Sequence, residues 1–181
     1  DTGIGINHDE LIADLGTIAR SGTAAFLDEM SSETKDLSLI GQFGVGFYAA
    51  FMVAERVEVL SRKAGDSEGW RWESAGKGEF SVAPATVDAR GTTIILHLRK
   101  GEEEFLDPDR LRRIVATHSD HVGLPIRLAE DGKETVINAA SALWTRAKAD
   151  ITPAQYAEFY HHVAHAFDDP WLTLHFRAEG K

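Results

Sequence analysis

The 181-residue chain has no cysteine, which removes disulfides, thiol nucleophiles and cysteine-ligated metals and suits a reducing cytoplasm, the expected location. It is also short of positive charge. With 19 Lys and Arg against 29 Asp and Glu, the formal net charge is -10, so neither nucleic acid nor an anionic membrane is expected as the main partner. No apolar run reaches the roughly 18 residues of a membrane-spanning helix, and no secretory leader is recognisable. Nothing resembling an initiator methionine or a lead-in element precedes Asp1, so the chain is expected to be a piece of a longer protein. No Gly-Lys-Ser or Gly-Lys-Thr occurs anywhere, which excludes a P-loop. Against these absences stand 43% hydrophobic residues, enough for a real core.

Two glycine-rich blocks dominate what is present: Asp1-Thr2-Gly3-Ile4-Gly5 and Gly41-Gln42-Phe43-Gly44-Val45-Gly46. After the first, Asn7 and Glu10 form a capping-box pair for a short helix with Leu11, Ile12 and Leu15 on its apolar face, ended by Gly16. Residues 17–40 combine weak apolar periodicity with glycine-containing ends, the pattern of a mobile cover over a site; an ordinary surface loop is the plainer alternative. The second block runs directly into Phe47–Val53, expected as a buried helix.

From Glu55 the apolar period becomes two. Val57 and Val59, Trp70 and Trp72, Phe80 and Val82, and then Thr92–Leu98 read as antiparallel strands joined by glycine turns. Asp107 and Pro108 open a helix expected to bury Leu111, Ile114, Val115 and Val122. Pro125–Leu128 reads as one further strand. The class is α+β, with helices on one face of a mostly antiparallel sheet. Polar residues 129–140 are expected as a linker between a first domain, 1–128, and the opening of a second, 141–181. Within the latter, Thr152-Pro153-Ala154-Gln155 is a capping box.

The second block, Gly-x-x-Gly-x-Gly, is not the dinucleotide fingerprint and lacks the strand that a Rossmann unit requires. Glycines entering a helix offer backbone amides to an anion such as a phosphate, a divalent cation offsetting the charge. Three glycines equally serve a tight turn ahead of a packed helix, and local sequence leaves both open. Asp1 is an acceptor-only carboxylate, suited to a base edge that offers an amine and unsuited to one offering a carbonyl oxygen. An isolated Asp-x-Gly is also an ordinary turn. His161 and His165 have the i, i+4 spacing of a metal pair but no identifiable third ligand, so these histidines, like His118 and His121, are read as solvent-facing.

In order and spacing, Asp1–Gly5, Leu15–Thr23, Ile40–Tyr48 and Gly91-Thr92 resemble the ATP-binding domain of the heat-shock protein 90 family, most of all its bacterial members. Trp72-Glu73-Ser74, His118–His121 and Leu143–Arg146 extend the likeness over essentially the whole chain. The Gly-Gln-Phe-Gly-Val-Gly-Phe-Tyr block is highly specific; Asp-x-Gly-x-Gly is shared with gyrase-type, mismatch-repair and histidine-kinase ATPases.

That resemblance implies a Bergerat-type ATP-binding sandwich. It implies Asp1 as acceptor of the adenine amine, Gly5 and Thr92 as supports of the water network round the base, and Leu15 and Phe47 as pocket walls. Ile6 stands in an apolar wall where many members carry Met. Gly44, Val45 and Gly46 would supply phosphate-binding amides, residues 17–40 the lid, and Gly16, Ser21, Gly22, Gln42 and Phe43 the rest of the nucleotide-contacting set. ATP or ADP with Mg²⁺ are the implied cofactors, and client proteins and a homodimeric parent the implied partners.

The family's water-activating Glu and Mg²⁺-holding Asn lie on a helix upstream of the Asp motif and are not among these 181 residues. The parent is therefore expected to be an ATPase and chaperone, the chain alone to hydrolyse ATP negligibly and bind it poorly, with its Mg²⁺ site incomplete. A histidine-kinase-like or other Bergerat-fold ATPase is the rival reading, and a non-enzymatic dimerisation piece with an exposed sheet edge is a third.

Overall fold

The computed structural model describes residues 1–16, 41, 43–140, 143–164 and 166–176. The expected lid at 17–40, and with it Ser21, Gly22 and also Gln42, lies outside the described residues. The chain divides into two compact units, Asp1–Glu104 and Phe105–Lys181.

The first unit begins with the loop Asp1–Asn7. Asn7 Oδ1 accepts from the Glu10 backbone N–H (3.0 Å) while Glu10 Oε2 accepts from the Asn7 N–H (3.0 Å), the expected reciprocal cap. It opens α1 (His8–Glu10), which widens at once into a π turn over Leu11–Leu15 and closes at Gly16. Leu11 is fully buried and Leu15 packs on the core, but Ile12 is exposed. An apolar face of Leu11, Ile12 and Leu15 is thus corrected: the i, i+4 pair shares a side, and Ile12, one position on, points elsewhere.

Alternating apolar residues build a four-stranded antiparallel sheet from β1 (Ala54–Arg62), β2 (Gly69–Ser74), β3 (Phe80–Ala85) and β4 (Gly91–Leu98), in the order β3-β2-β1-β4. Its inner face presents Val57, Val59 and Trp72, which with Leu11 and Ala54 form the buried core. The helical segments cover this face, so the unit is α+β as its residue pattern predicts. On β4 the same parity is less covered: Ile94 and Leu96, opposite Val59 and Val57, remain 50% and 40% exposed.

The outer face is polar. Glu58 lies between Arg56 (2.8 Å) and the His97 Nε2 (2.6 Å), and Arg56 also reaches Glu73 (3.3 Å). The His97 hydrogen bond, followed by the charges of Arg56, His97 and Arg71, holds the Glu58 carboxyl below the usual glutamate range against the opposing cost of desolvation.

The second glycine block leads into a 3₁₀ turn, Gly46–Ala49, and a single α turn, α2 (Ala50–Val53). A buried helix over Phe47–Val53 is therefore corrected to an eight-residue helical segment with one covered side. Phe47, Ala50 and Phe51 pack on the core, whereas Met52 is 76% exposed. Phe47 meets Trp72 edge to face at 5.6 Å, and Trp72 stacks on Phe80 at 6.0 Å.

The second unit holds α3 (Pro108–His118), capped by the Asp107 carboxylate accepting from the Asp109 N–H (2.9 Å) with Pro108 in the first turn. Leu111, Ile114 and Val115 are half-buried on it, but Val122 lies past the end of the helix at Ser119. A hairpin of β5 (Arg127–Glu130) and β6 (Lys133–Val136) follows, turning at Asp131-Gly132. Much of the stretch read as a linker is thus paired backbone. Buried Asn138 ties it down: its Oδ1 accepts from the Ile126 N–H (2.8 Å) and its Nδ2 donates to the carbonyls of Val122 (3.1 Å) and Leu124 (3.0 Å). In α4 (Pro153–Ala164) the Thr152–Gln155 box forms, Thr152 N–H donating to Gln155 Oε1 (2.9 Å) and Gln155 N–H to Thr152 Oγ1 (3.3 Å).

Candidate nucleotide site

The loop Asp1–Asn7 is laid along the ends of β1 and β4 by a series of long-range bonds. The Asp1 amino nitrogen donates to the Thr92 carbonyl (2.8 Å), and the Thr92 N–H returns a bond to the Asp1 carbonyl (3.3 Å). Three residues further on, the Ala64 N–H donates to the Ile4 carbonyl (2.7 Å). Arg90 donates from one terminal nitrogen to the carbonyls of Thr2 (2.6 Å) and Gly3 (2.8 Å). The loop is therefore an accessory strand-like edge, fixed before any ligand arrives.

Two glycines make this approach possible. Gly5 has φ +75, and a Cβ placed there would lie 2.0 Å from the Arg62 carbonyl oxygen; Gly91 has φ +129, and its Cβ would lie 2.3 Å from the Asp1 carbonyl oxygen. Neither position accommodates a side chain without moving backbone. At Asp1 itself, Oδ1 accepts from the Gly3 N–H (2.8 Å), which orients the carboxylate by an Asx-type turn while the residue stays exposed.

At the centre is Ser61, fully buried on β1. Its Oγ accepts from the Ile6 N–H (2.8 Å), donates to the Gly91 carbonyl (2.8 Å) and lies 2.9 Å from the Thr92 Oγ1. Ser61, Arg90 and Tyr48 were not singled out by sequence reasoning. Ser61 alone left a signal, as the polar member of the inward-facing series Val57, Val59, Ser61.

The expected pocket walls Ile6, Leu15 and Phe47 all pack against the same core cluster. Tyr48 ties two of the elements together, its hydroxyl donating to the Leu15 carbonyl at 2.9 Å; burial pushes the phenol's pKa up. Gly16 sits at this junction, where a Cβ would come within 2.7 Å of the Phe80 ring. The remainder of the second block stands apart on the surface. Phe43 is 81% and Val45 51% exposed, and among the described residues nothing lies within 4 Å of a Cβ built at Gly41 or Gly46. The Gly44 N–H donates to the Gly41 carbonyl (3.2 Å), closing a turn in which both glycines have positive φ. Gly46 and Phe47 head the helical segment, where the first N–H groups have no partner within the helix.

The structure thus brings Asp1, Gly5, Ile6 and Thr92 together on one side and Leu15 and Phe47 on the core beside them, with exposed Gly16 against the Phe80 ring. Phe43, Gly44, Val45 and Gly46 form an exposed turn. Among the described residues no group of three or more histidine or acidic side chains is placed to hold a metal ion.

Comparison with known proteins agrees with the residue-level likeness. A family model described as Hsp90 protein matches residues 130–181, outside the glycine blocks. The blocks are covered by full-chain relatives. Chaperone protein HtpG of Paramagnetospirillum magneticum is 63% identical over 99% of this chain and 29% of its own length. The HtpG proteins of Rhodospirillum rubrum and Roseobacter denitrificans are each 58% identical, over 100% and 99% of this chain and 30% and 28% of their own lengths. Spanning about three-tenths of the length of these relatives, the chain belongs to the heat-shock protein 90 family.

Proposed function

We propose that these residues form the base-facing and part of the phosphate-facing side of an ATP site in an ATP-dependent molecular chaperone. The observation that carries this reading is the two-way backbone pairing of Asp1 with Thr92, which sets an acceptor carboxylate beside a hydroxyl at the end of a rigid sheet. An exocyclic amine has the donors such a wall needs, and a carbonyl in its place would meet like charge. Ile6, Leu15 and Phe47 supply apolar surface for the base. The N–H groups of Gly46 and Phe47, at the start of a helical segment, suit phosphate oxygens; Gly44's N–H is already engaged within the turn.

In the whole protein, closure of residues 17–40 over ATP would be coupled to contacts between two copies and with client polypeptides in the cytoplasm. Among the described residues no cluster of His, Asp or Glu side chains fits a complete Mg²⁺ site.

Calorimetric titration of ADP and GDP into this chain, and into a chimera in which it replaces its counterpart in the full-length Paramagnetospirillum relative, tests the reading. Binding of ADP but not GDP is expected, weakly in the first and tightly in the second. A chimera that binds neither, while still folded, overturns it.

A further inference from the structure

A hydroxyl has one proton to give and two lone pairs to receive with, and at Ser61 all three are assigned by the neighbours. The Gly91 carbonyl can only accept, so it takes the Ser61 proton at 2.8 Å. The Ile6 N–H can only donate, so it fills one lone pair at 2.8 Å. What faces Thr92 Oγ1 at 2.9 Å is therefore the second lone pair, and the Thr92 hydroxyl proton must point inward to meet it. Thr92 Oγ1 is left with lone pairs only towards the site.

We propose that Ser61 is a positioning residue that sets the hydrogen-bond polarity of the base-facing wall, holding Thr92 Oγ1 as an acceptor beside the Asp1 carboxylate so that the site selects purine nucleotides with an amine rather than a carbonyl at ring position six. This rests on the nucleotide-site reading above. A threonine without such a neighbour rotates its hydroxyl to donate or accept as the ligand requires, and discriminates little. With Ser61 in place, both side-chain groups of the wall accept, and a water bound at Thr92 must donate to it. A base carrying a carbonyl oxygen at that edge finds two acceptors and no donor. The selectivity is thus partly determined by a residue that never touches the ligand.

Burial supports this assignment. Ser61 has no exposed surface and follows Val57 and Val59 on the inner face of β1, where an apolar residue would satisfy the core without any polar cost. The hydroxyl also joins the Asp1–Asn7 loop to β4, so a merely structural role predicts that its loss weakens every ligand alike. A polarity-setting role predicts that the ratio between ligands changes.

Ser61→Thr and Ser61→Val are the informative pair, since they share shape and differ in a hydroxyl against a methyl. Ser61→Ala repeats the measurements if Val does not fold. Nuclear magnetic resonance titration to millimolar ADP and inosine diphosphate, which replaces the amine by a carbonyl, gives the affinity ratio. Ser61→Val is expected to reduce the preference for ADP by about tenfold, and Ser61→Thr to keep it. In the unliganded chain, Ser61→Val should speed exchange of the Ile6 amide by about tenfold and let the Thr92 χ1 couplings average over rotamers. An unchanged ADP preference in Ser61→Val, or a Thr92 rotamer that stays fixed without the Ser61 hydroxyl, overturns the proposal. If the unmutated chain and its full-length chimera bind neither nucleotide, the nucleotide-site reading fails, and the Thr92 rotamer then decides the role of Ser61 by itself.

Discussion

The two glycine blocks carry similar sequence signals and have opposite physical surroundings. In the first, Gly5 and its partner position Gly91 are glycines because backbone passes where a Cβ would stand, 2.0 Å and 2.3 Å from carbonyl oxygens. In the second, no atom of the described residues lies within 4 Å of a Cβ placed at Gly41 or Gly46. One block is built into the sheet edge and the other is a turn laid on the surface. In the proposed nucleotide site, the base-facing geometry is fixed by a fully buried hydroxyl and a row of backbone bonds. The phosphate-facing geometry starts at exposed Gly46, after a turn closed by the Gly44–Gly41 hydrogen bond. Such a site would divide its labour between a rigid half and an adaptable half.

Gly5→Ala should break the rigid half outright. The new methyl group meets main chain rather than the end of a flexible side chain, at a residue already in left-handed conformation. A loss of at least about 3 kcal/mol is expected, from strain and displacement together. Urea unfolding followed by far-ultraviolet circular dichroism would measure it. A loss below about 1 kcal/mol would mean that the loop is not anchored on Arg62 as described.

Tyr48→Phe tests the seam between the two halves. Its hydroxyl bonds the carbonyl of Leu15, 33 positions away in the chain, so Phe at this position removes a partly buried long-range hydrogen bond. About 1 kcal/mol of stability should be lost, with faster amide exchange at the ends of both elements. An unchanged unfolding midpoint would show that packing of Phe47 alone joins them.

How much of this was legible in the sequence follows from the range of each interaction. The three helix caps at Asn7–Glu10, Asp107–Pro108 and Thr152–Gln155 were readable because both partners lie within four residues, and each forms as its spacing dictates. Strand parity was readable because Val57, Val59 and Trp72 alternate. Pairing across the chain was not: Ser61 to Ile6 spans 55 positions and Arg90 to Thr2 spans 88, and no local rule selects those partners. The hairpin at Arg127–Val136 was obscured by its exposure, since all four residues of β6 face solvent and show no apolar alternation. The shortened helix after Gly46 was misread for the converse reason: a continuous apolar run gives no hint of which side will be covered.

The polar outer face of the sheet gives a pH test of the rigid half. The folded state holds Glu58 ionised to lower pH than an unfolded chain does. Its contribution is therefore fully present above the ordinary glutamate pKa of about 4.3 and is lost as pH falls through the lower folded value. Thermal midpoints of the unmutated chain should fall more steeply between about pH 5 and pH 3 than those of Glu58→Gln. Parallel curves would mean that the Arg56–Glu58–His97 contacts add nothing to the strand pairing beneath them.

The smallest effect on stability is expected at Gly46, and it is the one that most sharpens the contrast. Its φ is not in the left-handed region, and no atom of the described residues lies within 4 Å of a Cβ placed there. Gly46→Ala should shift the unfolding free energy by no more than about 0.5–1 kcal/mol, in the stabilising direction if the unfolded chain loses freedom. The N–H that Gly46 carries heads a helical segment. If phosphate oxygens approach that N–H, the added methyl group obstructs them, and ADP affinity should fall while the unfolding midpoint holds. Should affinity survive as well, the exposed glycines are no more than a turn, and the phosphate-facing half of the site must be sought in other residues.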